Sequence, residues 1–304
     1  MLKQILHLLK TNKEFYNSVR EDFTYHSSVI EGSTVTREQH HELASANDAT
    51  VKDVINNQAS NKEDAIENLN CLKLFDYVFD NIDEPLSHNE ICKYQLLLKK
   101  NTSFAKNVPQ ETGKYRTSDV KVGNHYPPPN YKVHELMDNL IKNFQLRKIL
   151  LIDDIAQFHI EFERIHPFRD GNGRIGRMIA FKQCLSNNVI PFIVNQETRK
   201  TYINSLEYFQ HNNDYSILTK YFLEQQKTFL MKYDEYLHPH KELSSNESKV
   251  IEYLRSNKYA NRSELESILG LKIAATKNLL SKMVKNKLIK IVGGSKNSKY
   301  SVVN

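Results

Sequence analysis

The chain has 304 residues and a mass of 35.5 kDa, room for about two domains at 100–200 residues each. Apolar residues make up 39% and charged residues 26%, which excludes a disordered chain and a disulfide-rich miniature; no apolar run nears the ~18–20 residues of a membrane helix. The net charge of +6 is uneven: residues 241–304 hold 11 Lys and 2 Arg against 5 Glu, a net of +8, and the rest of the chain carries −2. Such a sign change marks a domain boundary near residue 240, although a lysine cluster can equally be a solvated basic face.

The N-terminal Met-Leu-Lys-Gln-Ile-Leu-His-Leu-Leu-Lys is too short and too lysine-punctuated for a secretory apolar region. Cys71, Cys92 and Cys184 show no metal spacing and cannot all pair, which suits a reducing compartment. The expectation is a soluble, cytoplasmic protein with no membrane partner.

Helical periodicity dominates the first 240 residues. Glu63 to Phe79 sets Ile66, Leu69, Leu72, Phe75 and Val78 at helical spacing. Gly113 to His125 alternates Tyr115, Thr117, Val120 and Val122 before a Gly123-Asn124 turn signal, which predicts a short hairpin in an otherwise helical region. Pro127-Pro128-Pro129 is a stiff extended connector. Leu151 to Ile165 carries Ile155, Phe158, His159, Phe162 and Ile165 on one stripe. Ile175 to Leu185 adds Ile179 and Cys184, and Tyr215 to Tyr236 reads as another amphipathic helix. Beyond His238-Pro239-His240 the texture changes. Helices are expected over Glu247–Asn257, from about Asn261 with a Ser263/Glu266 capping signature, and over Ala274–Leu288. Two short strands, Leu288–Val292 and Lys299–Val303, are expected around Gly293-Gly294. Three helices and a β wing resemble a winged helix-turn-helix.

Only nine glycines occur in the chain, yet Gly171, Gly173 and Gly176 fall within six residues, inside His166-Pro167-Phe168-Arg169-Asp170-Gly171-Asn172-Gly173-Arg174-Ile175-Gly176-Arg177. Pro167 stops one helix, and Gly171-Asn172-Gly173 opens the next with free backbone N–H groups, a natural anion site. Arg174 and Arg177 lie three apart on one face, where both can reach that anion. Asp170 beside them suits a divalent ion such as Mg²⁺, and His166 at the helix end suits a proton acceptor. Taken singly, each residue also has a structural reading; together, in one twelve-residue order, they point to phosphoryl chemistry on a nucleotide.

This segment, His-Pro-Phe-x-Asp-Gly-Asn-Gly-Arg-x-x-Arg, resembles the signature of the Fic (Fido-fold) family, and the similarity extends over roughly residues 10–240. The resemblance implies a mainly α Fic/Fido domain with a small β-hairpin flap, followed by the winged helix-turn-helix. It implies a protein adenylyltransferase that moves AMP from ATP to a protein hydroxyl (Ser, Thr or Tyr) and releases pyrophosphate. His166 would deprotonate the hydroxyl, and Asp170 would hold Mg²⁺ between the α- and β-phosphates. Gly171, Asn172 and Gly173 would cradle the phosphates, and Arg174 and Arg177 would hold the outer ones. Ser27-Ser28-Val29-Ile30-Glu31-Gly32 resembles the family's inhibitory motif, with Glu31 taking Arg177 away from ATP; on residue type alone it is also an ordinary helix end. Gly113, Lys114, Tyr115, Arg116 and Thr117 match the target-binding flap, and Arg199 and Tyr202 stand where relatives line the adenine pocket.

The expected division is an N-terminal helical region over 1–110 carrying the inhibitory helix, a catalytic core with flap over 111–240, and the winged helix over 241–304. Expected partners are a protein bearing an acceptor hydroxyl, including this chain itself, DNA through 241–304, and a second copy as a homodimer. Two other readings compete: a DNA-binding transcriptional regulator whose Fic-like domain senses a nucleotide, and a reverse enzyme that uses Glu31 to remove AMP. The winged helix could also be a protein-docking module.

Overall fold

The computed structural model describes residues 2–47, 50–57, 61–123, 126–147, 150–237, 243–286, 288–293 and 298–303. The chain divides into two compact units, Met1–Leu237 and His238–Asn304.

In the first unit, α1 (Leu2–Thr11) leads into α2 (Lys13–Ile30), whose start is capped by the Asn12 side chain accepting from the Phe15 N–H. A Thr36–Gln39 capping box opens α3 (Arg37–Ser45). Then come α4 (Val51–Asn57), α5 (Lys62–Asp80), α6 (His88–Lys99) and α7 (Ser103–Asn107). After an irregular stretch and a 3₁₀ turn at Asn130–Lys132, α8 (Val133–Gln145), α9 (Ile152–Ile165) and α10 (Asn172–Ser186) follow. The unit closes with α11 (Arg199–Asn212), α12 (Ser216–Lys232) and α13 (Asp234–Leu237). The periodic stretches read from sequence thus appear as α5, α9, α10 and α12–α13, with ends displaced by a few residues.

Packing is organised around α10, in which every residue from Arg174 to Leu185 is buried. A helix covered on all sides needs neighbours all round, and α9, α2, α5 and α6 supply them. Phe23, Phe75, Phe158, Phe162, Phe168, Ile175, Met178 and Phe181 meet in one apolar cluster, so N-terminal helices and motif helices share a single core. A second cluster joins Ile30, Ile155, Ala180, Phe192, Tyr202 and Phe222 on the side of α11 and α12. No helix among the described residues is long and apolar enough to cross a membrane. Cys71, Cys92 and Cys184 are free thiols.

The hairpin expected over 113–125 does not form among the described residues: 113–121 is irregular, with a lone bridge position at Val122, and Asn124 and His125 lie outside the description. The physical reason is that side chains, not a second strand, satisfy this backbone. Glu111 accepts from the Thr117 N–H (2.9 Å) and Oγ1 (2.6 Å), Asn130 Nδ2 donates to the Thr117 carbonyl (2.7 Å), and Asp119 accepts from the Asn130 N–H (2.7 Å).

The second unit contains α14 (Ser245–Asn257), α15 (Arg262–Leu269), α16 (Ile273–Lys285) and an antiparallel pair, β1 (Ile289–Val292) with β2 (Lys299–Val302), registered Ile289 opposite Val302. Ala260 bridges to Tyr300 and extends the sheet by one position. Val250, Leu254, Leu265, Leu280, Met283 and Ile289 form its core. The cap of α15 is Asn261 with Glu264, two residues earlier than the Ser263/Glu266 signature read from sequence, because Asn261 itself accepts from the Glu264 N–H at 2.9 Å. Gly294, Lys287 and the 238–240 linker lie outside the described residues.

Candidate active site

The junction between α9 and α10 is built by backbone conformations few residues tolerate. His166 ends α9 in the left-handed region (φ 49°, ψ 62°), and Gly171 precedes α10 at φ 93°. A side chain at Gly171 would also strike Leu98, its Cβ lying 2.9 Å from Cδ2. Between them Phe168 is fully buried, an apolar peg of about 1.5–3 kcal/mol. Asn172 closes the loop: its Oδ1 accepts from the Phe168 N–H (2.9 Å) and its Nδ2 donates to the Phe168 carbonyl (2.8 Å). That side chain is therefore committed to the loop.

Arg116, 3% exposed, locks the same loop from outside. Its N–H donates to the Pro167 carbonyl (2.9 Å), Nε to the His166 carbonyl (2.9 Å), Nη1 to Ser118 (3.1 Å) and Nη2 to Pro128 (2.5 Å). Tyr115 packs on Phe168 at 5.4 Å and bonds His88 Nδ1 at 2.9 Å. Gly113, at φ 73°, donates to Gln95 Oε1, while Lys114 and Thr117 are exposed. The stretch expected as a target flap is anchored to the motif through Tyr115 and Arg116.

His166 sits in a setting that burial makes hostile to positive charge, and the nearby Arg116 adds to this; its pKa falls to about 4. It is a neutral imidazole at physiological pH, able to accept a proton. Arg177, 3% exposed, donates through Nε to Ser27 Oγ (3.0 Å) and through Nη2 to the Ser27 carbonyl (2.8 Å) and Glu31 Oε1 (2.8 Å). Burial opposes the charge on Glu31, but Arg177 and Arg174 outweigh it and hold its carboxyl below the usual range. The Glu31 carboxylate also lies over the first turn of α10: a Cβ built on Gly173 would stand 2.2 Å from Glu31 Oε1. A carboxylate thus rests where an incoming anion would meet the positive end of the helix. Gly32 follows at φ 96° with open space around it.

Arg199 is exposed and Tyr202 buried, beside the end of α2 and the Arg177 side chain respectively. Arg199 Nε donates to the Ile30 carbonyl (2.8 Å), satisfying the end of α2. Tyr202 is 1% exposed, bonds His159 Nε2 at 2.8 Å and lies 5.9 Å beneath the Arg177 guanidinium, so it supports Arg177.

Two residues that sequence reasoning missed complete the site. Lys99 of α6, wholly buried, donates to Glu67 Oε1 (2.6 Å) and Asp170 Oδ2 (2.5 Å). Glu67 of α5 also pairs with Arg174, which stands 3.6 Å from Asp170. The only signal in the sequence was a lysine directly after Leu96-Leu97-Leu98. Burial works against the Asp170 charge, but Lys99 and Arg174 keep its pKa low. No cluster of three or more His, Cys, Asp or Glu that could hold a metal occurs among the described residues. A single carboxylate beside a helix N-terminus nevertheless suits Mg²⁺, which takes one or two carboxylates and completes its shell with phosphate oxygens and water. Asp170, 46% exposed, fits that demand.

Residues 85–184 match the profile described as the Fic/DOC family. The protein adenylyltransferase fic-1 of Caenorhabditis elegans is 28% identical over 190 residues, which cover 60% of this chain and 35% of that one. The probable protein adenylyltransferase aq_aa38 of Aquifex aeolicus is 36% identical over 105 residues, covering 33% of this chain and 31% of the relative. The chain therefore spans about a third of the length of these curated relatives. A crystal structure of a Fic family protein from Desulfovibrio desulfuricans superposes with a TM-score of 0.60 at 19% identity, covering 99% of this chain and 93% of that one. The chain has the mainly helical Fic fold, and within it residues 85–184 are similar to the Fic/DOC family.

Proposed function

We propose that the first unit is a protein adenylyltransferase held in a low-activity state by Glu31. The observation that carries this reading is the first turn of α10, where free backbone N–H groups, Arg174 and Arg177 converge beside a neutral His166. The relatives named protein adenylyltransferase lend it the reaction. His166 takes the proton of an acceptor hydroxyl on a protein. The freed oxygen attacks the α-phosphorus of ATP, and the bond to the bridging oxygen breaks as pyrophosphate leaves. The α10 N-terminus and the two arginines offset the charge that accumulates on the departing phosphates, and such preorganised electrostatics supply most of the rate in phosphoryl transfer. Asp170 would hold Mg²⁺, which neutralises phosphate charge when bound. Glu31 competes with the nucleotide for Arg177 and covers the helix terminus. The 113–117 stretch, tied to the motif through Arg116, borders the acceptor side.

For the second unit we propose a winged helix that binds duplex DNA. The net charge of 241–304 and the exposed Lys272, Lys277 and Lys285 on and beside α16 support this. Affinity for a duplex should fall steeply with salt.

The test of the first reading uses ATP labelled at the α-phosphate with the Glu31→Gly chain and a cell extract. Label should enter protein, and adding His166→Ala should abolish transfer while ATP still binds. No label with Glu31→Gly, or equal label with His166→Ala, overturns the reading.

A further inference from the structure

Lys99, Glu67, Arg174 and Asp170 form a closed ring of alternating charge. Lys99 Nζ contacts Glu67 Oε1 and Asp170 Oδ2, Glu67 Oε2 turns to Arg174, and Asp170 Oδ1 faces Arg174. The ring is electroneutral, and both oxygens of Asp170 already face a cation. Lys99 is not a long side chain that happens to fold inward. It ends α6, where Thr102 Oγ1 donates to its carbonyl (2.7 Å), and Asn70 of α5 ties the flanking Leu98 and Lys100 carbonyls (3.0 and 2.7 Å). Its ammonium lies 5.5 Å from the Phe104 ring, and its Cε would be 3.7 Å from a Cβ on Gly171, directly under the anion cradle. Two helices and an aromatic ring therefore fix a positive charge against the candidate metal carboxylate.

We infer that Lys99 is a positioning residue that makes metal binding conditional on the nucleotide. Its ammonium neutralises Asp170 and Glu67, so a divalent cation gains too little from these carboxylates to bind alone; phosphate oxygens must arrive with it. This keeps Asp170 oriented and stops the cradle from filling with a bare cation, which would strengthen the hold of Glu31 over the helix end. The inference rests on Asp170 being the metal carboxylate of the proposed reaction, but its test needs neither acceptor nor turnover.

The probe is Mn²⁺ added to the full chain without nucleotide, with free ion followed by electron paramagnetic resonance. The wild-type chain should show no saturable binding at this site at millimolar ion. Lys99→Met removes the charge at similar volume and leaves Glu67, Asp170 and Arg174 with a net negative charge; it should bind Mn²⁺ at least tenfold more tightly. Lys99→Arg, which keeps the charge, should behave as wild type, and adding Asp170→Asn to Lys99→Met should cancel the gain. Should Lys99→Met fail to fold, Lys99→Gln removes the charge with a shorter polar side chain and should show the same gain. Equal Mn²⁺ affinity in wild type and the neutral variants overturns the inference, as does tight wild-type binding without nucleotide. Because transfer is not measured, loss of the proposed activity would leave these outcomes intact, and failure here would leave the transferase reading standing.

Discussion

Glu31→Gly should raise AMP transfer while lowering stability, and the structure sets the size of both effects. Glu31 Oε1 accepts from Arg177 Nη2 at 2.8 Å, and its side chain is 37% exposed. A hydrogen bond between charged groups is worth about 1.5–3 kcal/mol, and partial exposure moves this pair toward the lower end of that range. Freeing Arg177 for a phosphate should therefore tighten ATP and increase label by roughly 10- to 30-fold. Arg177 keeps its bonds to Ser27 and its contact with Tyr202 after the change, so the apo protein loses about 1–2 kcal/mol, a drop of several degrees in Tm for a unit of this size. The assay pairs α-labelled ATP incorporation and calorimetric ATP binding with a thermal melt. An activity gain alone could follow from general loosening, so ATP affinity is the decisive measurement. A folded Glu31→Gly chain with unchanged ATP affinity and unchanged label refutes the reasoning.

Three further outcomes follow from buried groups. Burial lowers the pKa of His40 to about 4 and of His159 to about 3, so the unfolded chain takes up protons below pH 6.5 that the folded chain refuses. Stability should then fall with pH from 6.5 toward 4, by about 3–4 kcal/mol for the pair between pH 7 and pH 5, and His40→Gln should flatten the slope of Tm against pH; an unchanged slope contradicts the assignment. Gly176→Ala would put a Cβ 2.5 Å from Glu163 Oε1, 3.1 Å from Phe162 and 3.2 Å from His159, which should cost about 1–3 kcal/mol and show as a lower melting temperature. Arg116→Lys should destabilise the motif loop almost as much as Arg116→Ala, because one ammonium cannot serve the carbonyls of His166, Ser118 and Pro128 together; wild-type thermal stability in Arg116→Lys would show the fork to be dispensable.

The parts of this protein that were legible in its sequence are those whose partners lie nearby. The α9 stripe, the Pro167 stop and the glycines before α10 are consecutive, so the loop-to-helix junction could be read from twelve residues. Lys99 and Glu67 were hidden because their partners come from 71 and 107 residues away along the chain, and a Glu or Lys on a helix reads by default as a solvated face. The alternation of Tyr115, Thr117, Val120 and Val122 suggested strands for the same reason in reverse. Periodicity reports which side chains face alike, but it cannot show that Glu111, Asp119 and Asn130 would take over the hydrogen bonds a partner strand normally supplies. Tyr202 bonds the buried His159, 43 residues away along the chain, a partner that no local pattern shows.

The charge arrangement also indicates which part of the site must yield when a nucleotide enters. Lys99, Arg174 and Arg177 face Glu67, Asp170 and Glu31 within the cradle, so a polyphosphate can bind only by displacing a carboxylate or bringing its own cations. Glu67 and Asp170 are each shared between Lys99 and Arg174, and both lie on helices or loops clamped into the core. Among the described residues the Glu31 carboxylate hydrogen-bonds Arg177 alone, and Glu31 caps α2, followed by a left-handed Gly32 with empty space around it. Its displacement breaks one ion pair and needs no movement of the buried motif helix. Arg199, bonded to the Ile30 carbonyl, would be released by the same shift of the α2 end. The least-tethered carboxylate is thus the one lying over the helix terminus, and the cradle can open without disturbing the residues proposed for transfer.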